Sequence, residues 1–83
     1  MALPESAYYV GIDLGSAEHA VCVLIEAGRV KTEFAITHTA IGFADVIRRL
    51  AKLGQAEDIP VAIERPDGRL VDQLLEAGHP VVR

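Results

Sequence analysis

The sequence predicts an α/β domain on one mixed sheet, with elements in the order β-β-β-α-β-α-β. Three observations carry this. Short apolar runs rich in β-formers end at turn residues. One segment, Val30 to Thr37, alternates with a period of two. After Thr39 the apolar period changes to helical spacing, and it does so again after Gly68.

The elements follow in order. Tyr8 to Leu14 is an apolar run closed by Gly15, a buried strand. Ala20 to Ile25 is a second. Glu26-Ala27-Gly28-Arg29 makes a turn in which Gly28 is free to take positive φ, so the flanking segments form an antiparallel hairpin. In the third strand Val30, Thr32, Phe34 and Ile36 face one way, and Lys31, Glu33, Ala35 and Thr37 the other. Ile41, Val46, Ile47, Leu50 and Leu53 then mark a helix, with Thr39 as N-cap and Gly54 as its stop. Arg48, Arg49 and Lys52 lie late in it, where cations suit the dipole; they read as a solvated face. Ile59 to Ile63 is a fourth strand. Leu70, Val71, Leu74 and Leu75 mark a second helix, stopped by Gly78 and barred from continuing by Pro80. Pro80 to Val82 begins a fifth strand, and a fresh strand of this length suggests that the chain leads into something further. Three meandering strands followed by right-handed α-β crossovers give the order 3-2-1-4-5, the opening of a ribonuclease-H-like sheet.

Composition narrows the function classes. The chain has 83 residues, room for one small domain. It is 51% apolar and 24% charged, an excess that suggests surface meant for another part of a protein or a partner subunit. A net charge of −4 argues against an autonomous nucleic-acid-binding module, which carries a basic face. It is compatible with a catalytic core whose carboxylates bind metal. The single Cys22 excludes an internal disulfide, reads as a small core hydrophobe and fits a reducing, cytoplasmic setting. Met1 to Ser6 has neither the basic nor the apolar region of a signal peptide, and no apolar run is long enough to span a membrane.

Two carboxylates stand in matching places. Asp13 closes the first strand in Gly11-Ile12-Asp13-Leu14-Gly15-Ser16. Glu64 closes the fourth in Val61-Ala62-Ile63-Glu64-Arg65-Pro66. Parallel neighbouring strands lie about 4.8 Å apart, so both side chains would emerge at the carboxyl edge, where open α/β sheets place ligands. Mg²⁺ (or Mn²⁺) takes one or two carboxylates, several waters and substrate phosphate. Two such ions about 4 Å apart can activate water and stabilise the leaving oxygen of a phosphodiester. The bland reading is that each acid is a turn former or helix cap.

The chain resembles a known family. Gly11-Ile12-Asp13-Leu14-Gly15-Ser16-Ala17-Glu18-His19-Ala20-Val21 resembles the start of the DEDD transposases of bacterial insertion sequences, relatives of the pilin-gene invertase. Thr39-Ala40-Ile41-Gly42-Phe43 resembles their lead into the first helix. Ala62-Ile63-Glu64-Arg65-Pro66-Asp67-Gly68-Arg69-Leu70 resembles their second acidic motif, and Leu74-Leu75-Glu76-Ala77-Gly78-His79-Pro80-Val81-Val82 their approach to the next strand. The resemblance implies the N-terminal part of a RuvC-like catalytic domain with acids in the order Asp, Glu, Asp, Asp. Asp13 and Glu64 would be the first two, and the other two would lie downstream. It further implies Mg²⁺-dependent DNA cleavage and strand transfer, guidance by a structured RNA, and a homo-oligomer. Two of four acids would leave this piece inactive alone.

Other readings stay open. Gly15-Ser16 resembles the phosphate turn of sugar kinases and actin-like ATPases, so an ATP-binding fragment is the alternative enzyme class. A non-catalytic dimerisation module, pairing through a sheet edge, is the third. Among single residues, His19 reads as a strand-end surface residue or a proton-transfer aid, His38 as solvated, and His79 as loop. Asp67 reads as an N-cap, and Arg65 as either a phosphate contact or a solvated charge.

Overall fold

The computed structural model describes residues 8–25, 28–64 and 68–82. Its elements are β1 (Tyr8–Leu14), β2 (Glu18–Ile25), β3 (Val30–Thr37), α1 (Ala40–Ala51), a 3₁₀ turn (Ala56–Asp58), β4 (Val61–Ile63), α2 (Arg69–Ala77) and β5 (Val81–Val82). One sheet runs β3-β2-β1-β4-β5. The β1–β2 and β2–β3 pairs are antiparallel, while β4 runs parallel to both β1 and β5. This is the mixed ribonuclease-H-like arrangement expected from the sequence.

Both helices lie on one face of that sheet. Phe43, Val46 and Leu50 of α1 and Leu70, Val71 and Leu74 of α2 share a core with Val10, Ile12, Val21, Val23, Ile36, Ile59, Val61 and Ile63. Topology accounts for this. The β3-α1-β4 and β4-α2-β5 crossovers step across the sheet in the same direction, so right-handed connections put both helices on the same side. The opposite face keeps Asp13, Ala20, Glu33, Ala35, Ala62 and Glu64 exposed.

Capping follows the sequence at the start of α1 and the end of α2. The Thr39 side chain accepts from the Gly42 amide at 3.0 Å. Gly78 ends α2 in the left-handed region at φ 103°. The end of α1 differs from expectation. It stops at Ala51, and its last carbonyls are taken by the shorter Lys52→Arg49 and Leu53→Leu50 bonds rather than by a glycine cap at Gly54. The start of α2 has Gly68 at its cap without a side-chain bond, and the predicted cap Asp67 lies outside the described residues, as do Arg65, Glu26 and Ala27.

Some core assignments need correction. Ile41 is 83% exposed and Phe43 takes its place in the core. Phe43, Val46, Ile47 and Leu50 form the i, i+3, i+4, i+7 stripe, and Ile41 lies on the other side of the helix. Alternation in β3 holds, but only the carboxyl end is covered: Ile36 is buried while Val30 is 53% exposed. The reason is that α1 starts at that end and crosses away toward β4. Arg49 lies 4.4 Å over the Phe34 ring, and Asp45 pairs with both Arg48 and Arg49. The basic cluster is therefore partly neutralised within its own helix.

His79 is also not a free loop residue. It is buried, and its Nδ1–H donates to the Ile59 carbonyl at 2.9 Å. That bond ties the start of β5 to the segment before β4. Replacing His79 with alanine strands a buried carbonyl, so stability should fall by about 1–3 kcal/mol. A urea midpoint unchanged from wild type would contradict this role.

Candidate metal centre on the uncovered sheet face

Asp13 and Glu64 meet on the uncovered face. The parallel register pairs Gly11 with Ala62 and Ile12 with Ile63, so each acid is the residue that follows a paired position. Side chains alternate across a strand, and Val10 and Ile12 point into the core. Asp13 therefore points the other way. In β4, Val61 and Ile63 are buried and Ala62 is exposed, which sends Glu64 to the same side as Asp13. Both acids line one open trough of about 480 Å³ together with Gly11, Ile12, Ala20, Cys22, Ala62 and Ile63.

Small residues keep the trough floor low. Gly11 sits between Cys22 and Ala62 in the register. A Cβ built on Gly11 meets nothing within 4 Å, and its φ is one any residue adopts, so the chain's own packing does not require glycine there. Glycine inside a strand is disfavoured and marks a place where a ligand or another backbone comes close. Gly11→Ala should therefore stabilise the isolated chain, by up to about 1 kcal/mol. A lower melting temperature for that variant would reverse this reading.

Cys22 belongs to this face rather than to the core. Its Sγ lies 3.9 Å from Glu33 Oε1 across the β2–β3 pair. Burial pushes its thiol up from the ordinary value, and the Glu33 carboxylate pushes it further. Cys22 therefore stays a thiol at neutral pH and is a poor nucleophile. The core-hydrophobe reading failed because Cys22 falls out of phase with Val21 and Val23.

His19 departs most from expectation. It is 3% exposed and points into the core side, with Val21 and Val23. It cannot serve proton transfer beside Asp13, since the sheet separates them. Instead its Nδ1 accepts from the Gly15 amide at 3.1 Å, and its Nε2 bonds His38 Nδ1 at 2.8 Å. Phe43 completes the cluster, its ring 6.5 Å from that of His19 and 5.2 Å from that of His38. The signal was present in the sequence: His19, Val21 and Val23 share one phase of a strand. The His38 partner was not readable, since it comes from the β3–α1 junction.

The donor set can be tested against a divalent cation. Two carboxylates in an open, water-accessible trough suit Mg²⁺, which keeps much of its hydration. Among the described residues no group of three or more His, Cys, Asp or Glu side chains could hold a metal ion. The set fits as a partial site. No helix among the described residues is long and apolar enough to cross a membrane.

A mixed sheet of this order, with both helices on one face, is that of a ribonuclease-H-like fold. The chain matches the DEDD_Tnp_IS110 family model, described as a transposase, over residues 10–83, a stretch that includes both acids. It belongs to this transposase family, whose substrate is DNA. No curated protein matches the chain.

Proposed function

We propose that the chain is the N-terminal part of a RuvC-like transposase catalytic domain, and that Asp13 and Glu64 are its first two metal ligands. The observation that carries this is their convergence in one trough from adjacent parallel strands. Bound Mg²⁺ (or Mn²⁺) would supply Lewis acidity and an activated water or hydroxyl for DNA phosphodiester chemistry. The chain's own part is to hold two carboxylate oxygens at strand ends whose spacing the sheet fixes. The low floor at Gly11, Ala20 and Ala62 leaves room for whatever completes the site. Two further acids, basic groups for the DNA backbone and a guide RNA come from outside this stretch. The protein works as a homo-oligomer in the cytoplasm.

Family membership favours this reading over ATP binding. So does the turn itself. The Gly15 amide, which a phosphate would need, is already given to His19.

A Mn²⁺ titration followed by NMR tests the site. Broadening should centre on Asp13, Glu64 and the trough, with weak affinity, and vanish in Asp13→Asn/Glu64→Gln. Broadening that ignores those substitutions would sink the assignment. The isolated chain should not cleave DNA, because half a ligand set binds metal weakly. Mg²⁺-dependent cleavage by this chain, abolished by Asp13→Ala, would overturn that part.

A further inference from the structure

The geometry points to His19 as the positioning residue of the Asp13 turn, acting from the far side of the sheet through the Gly15 amide and braced by His38. This role rests on the reading of Asp13 as a metal ligand. The brace itself can be measured without metal.

Asp13 is followed at once by the turn that reverses the chain into β2. Two bonds tie that turn to its surroundings, one from a core-side ring and one that extends the β2–β3 backbone ladder. The Gly15 amide donates to His19 Nδ1 at 3.1 Å. The His38 amide donates to the Ala17 carbonyl at 2.9 Å. The two histidines are themselves joined at 2.8 Å, ring to ring. The β1–β2 turn is thereby pinned to the β3–α1 junction. Phe43 of α1 packs against both rings. Asp13 leaves the backbone two residues before Gly15, so the aim of its carboxylate depends on this brace.

The donors fix the proton positions. A backbone N–H can only donate, so His19 Nδ1 must be bare and its proton sits on Nε2. That proton is donated to His38 Nδ1. A second proton on His19 would have to go on Nδ1, where it would oppose the Gly15 N–H. The brace therefore exists only with neutral His19.

The surroundings favour that state. Burial lowers the His19 pKa from 6.5, and the neighbouring His38 lowers it further. Among the described residues the titratable group facing it is His38. Its strand neighbours Leu14 and Ile36 and the Phe43 ring of α1 carry no charge, and Glu18 lies on the opposite face. The sign follows. The folded value lies below the unfolded one, so the stabilisation is complete above about 6.5 and is lost as pH falls through the folded value.

Two near-isosteric variants separate the two bonds. In His19→Asn, Oδ1 takes the place of Nδ1 and can accept from Gly15. In His19→Gln, the longer amide reaches toward His38 and leaves Gly15 without an acceptor. Protection of the Gly15 amide, its exchange rate set against the intrinsic rate at the same pH, should be high in wild type near pH 7 and fall as the pH drops through the His19 titration. His19→Gln should exchange up to about tenfold faster at neutral pH, the factor for one lost hydrogen bond, with no pH step. His19→Asn should restore protection and make it pH-independent. The ¹⁵N shifts of wild-type His19 should report a bare Nδ1. Mn²⁺ affinity at Asp13 should fall in the Gln variant and recover in the Asn variant.

Equal Gly15 exchange in wild type and His19→Gln would overturn the proposal, as would a protonated Nδ1 or a wild-type protection profile without the pH step. The tautomer and the profile are read on wild type, so a variant that fails to fold does not remove the test. Absence of Mn²⁺ binding in wild type would count against the metal reading of Asp13. The exchange measurements would still judge the brace.

Discussion

Gly15→Ala is expected to dismantle the turn behind Asp13 and cost about 3 kcal/mol, the upper part of the range for overpacking. A Cβ at this position would lie 2.2 Å from the Glu18 carbonyl oxygen, a backbone atom that no side-chain rotation can move away. The clash can be relieved only by opening the turn, and that breaks the Gly15–His19 bond as well. A domain of 83 residues has a total stability of roughly 4–12 kcal/mol at typical values per residue. The variant should therefore unfold at a much lower urea midpoint with an unchanged slope. A loss of stability below about 0.5 kcal/mol would mean that the turn relaxes freely, and the argument for its rigidity would fail.

Leu50→Ala is expected to cost about 2–5 kcal/mol through the cavity it leaves. Leu50 is 0% exposed, on the face of α1 that lies over the sheet. Few side chains are available to collapse into the space, since the core is one layer thick between two helices and one sheet face. Leu75 provides the control. It belongs to the apolar pattern that marks the second helix in the sequence but is 54% exposed on α2, so Leu75→Ala should stay within about 0.5 kcal/mol. Similar losses at both positions would mean that α2 is packed differently from the arrangement described.

Much of this fold is legible in the residue order. Strand order 3-2-1-4-5 followed from three meandering strands and two crossovers, because handedness leaves few choices. The Thr39 cap, the Gly78 stop and the positive φ of Gly28 followed from local chemistry, since each depends on residues within one turn. The motifs around Asp13 and Glu64 pointed to the transposase family, and the family match over residues 10–83 agrees. Local pattern misleads where a residue's setting depends on distant chain. Local pattern puts His19 at an exposed strand end and His79 in a loop, yet each is buried and bonded to a group 19 or 20 residues away. Composition makes Cys22 a core hydrophobe, yet the strand phase turns it to the other face. Ile41 falls near helical spacing with Val46, Ile47 and Leu50, yet the stripe that Phe43 opens leaves it in solvent.

The sequence by itself determined which segments are strands and helices, the order of the sheet, and the placing of Asp13 and Glu64 after apolar runs. These are properties of local pattern and of chain connectivity, and both are written in the residue order. Only the tertiary structure decided which face each acid would occupy. Strand phase relative to a core becomes meaningful once the helices choose a side, and they chose together because both crossovers step in one direction. That choice leaves Asp13 and Glu64 on the open face and buries His19 beneath the same turn, where it can hold Gly15 from behind.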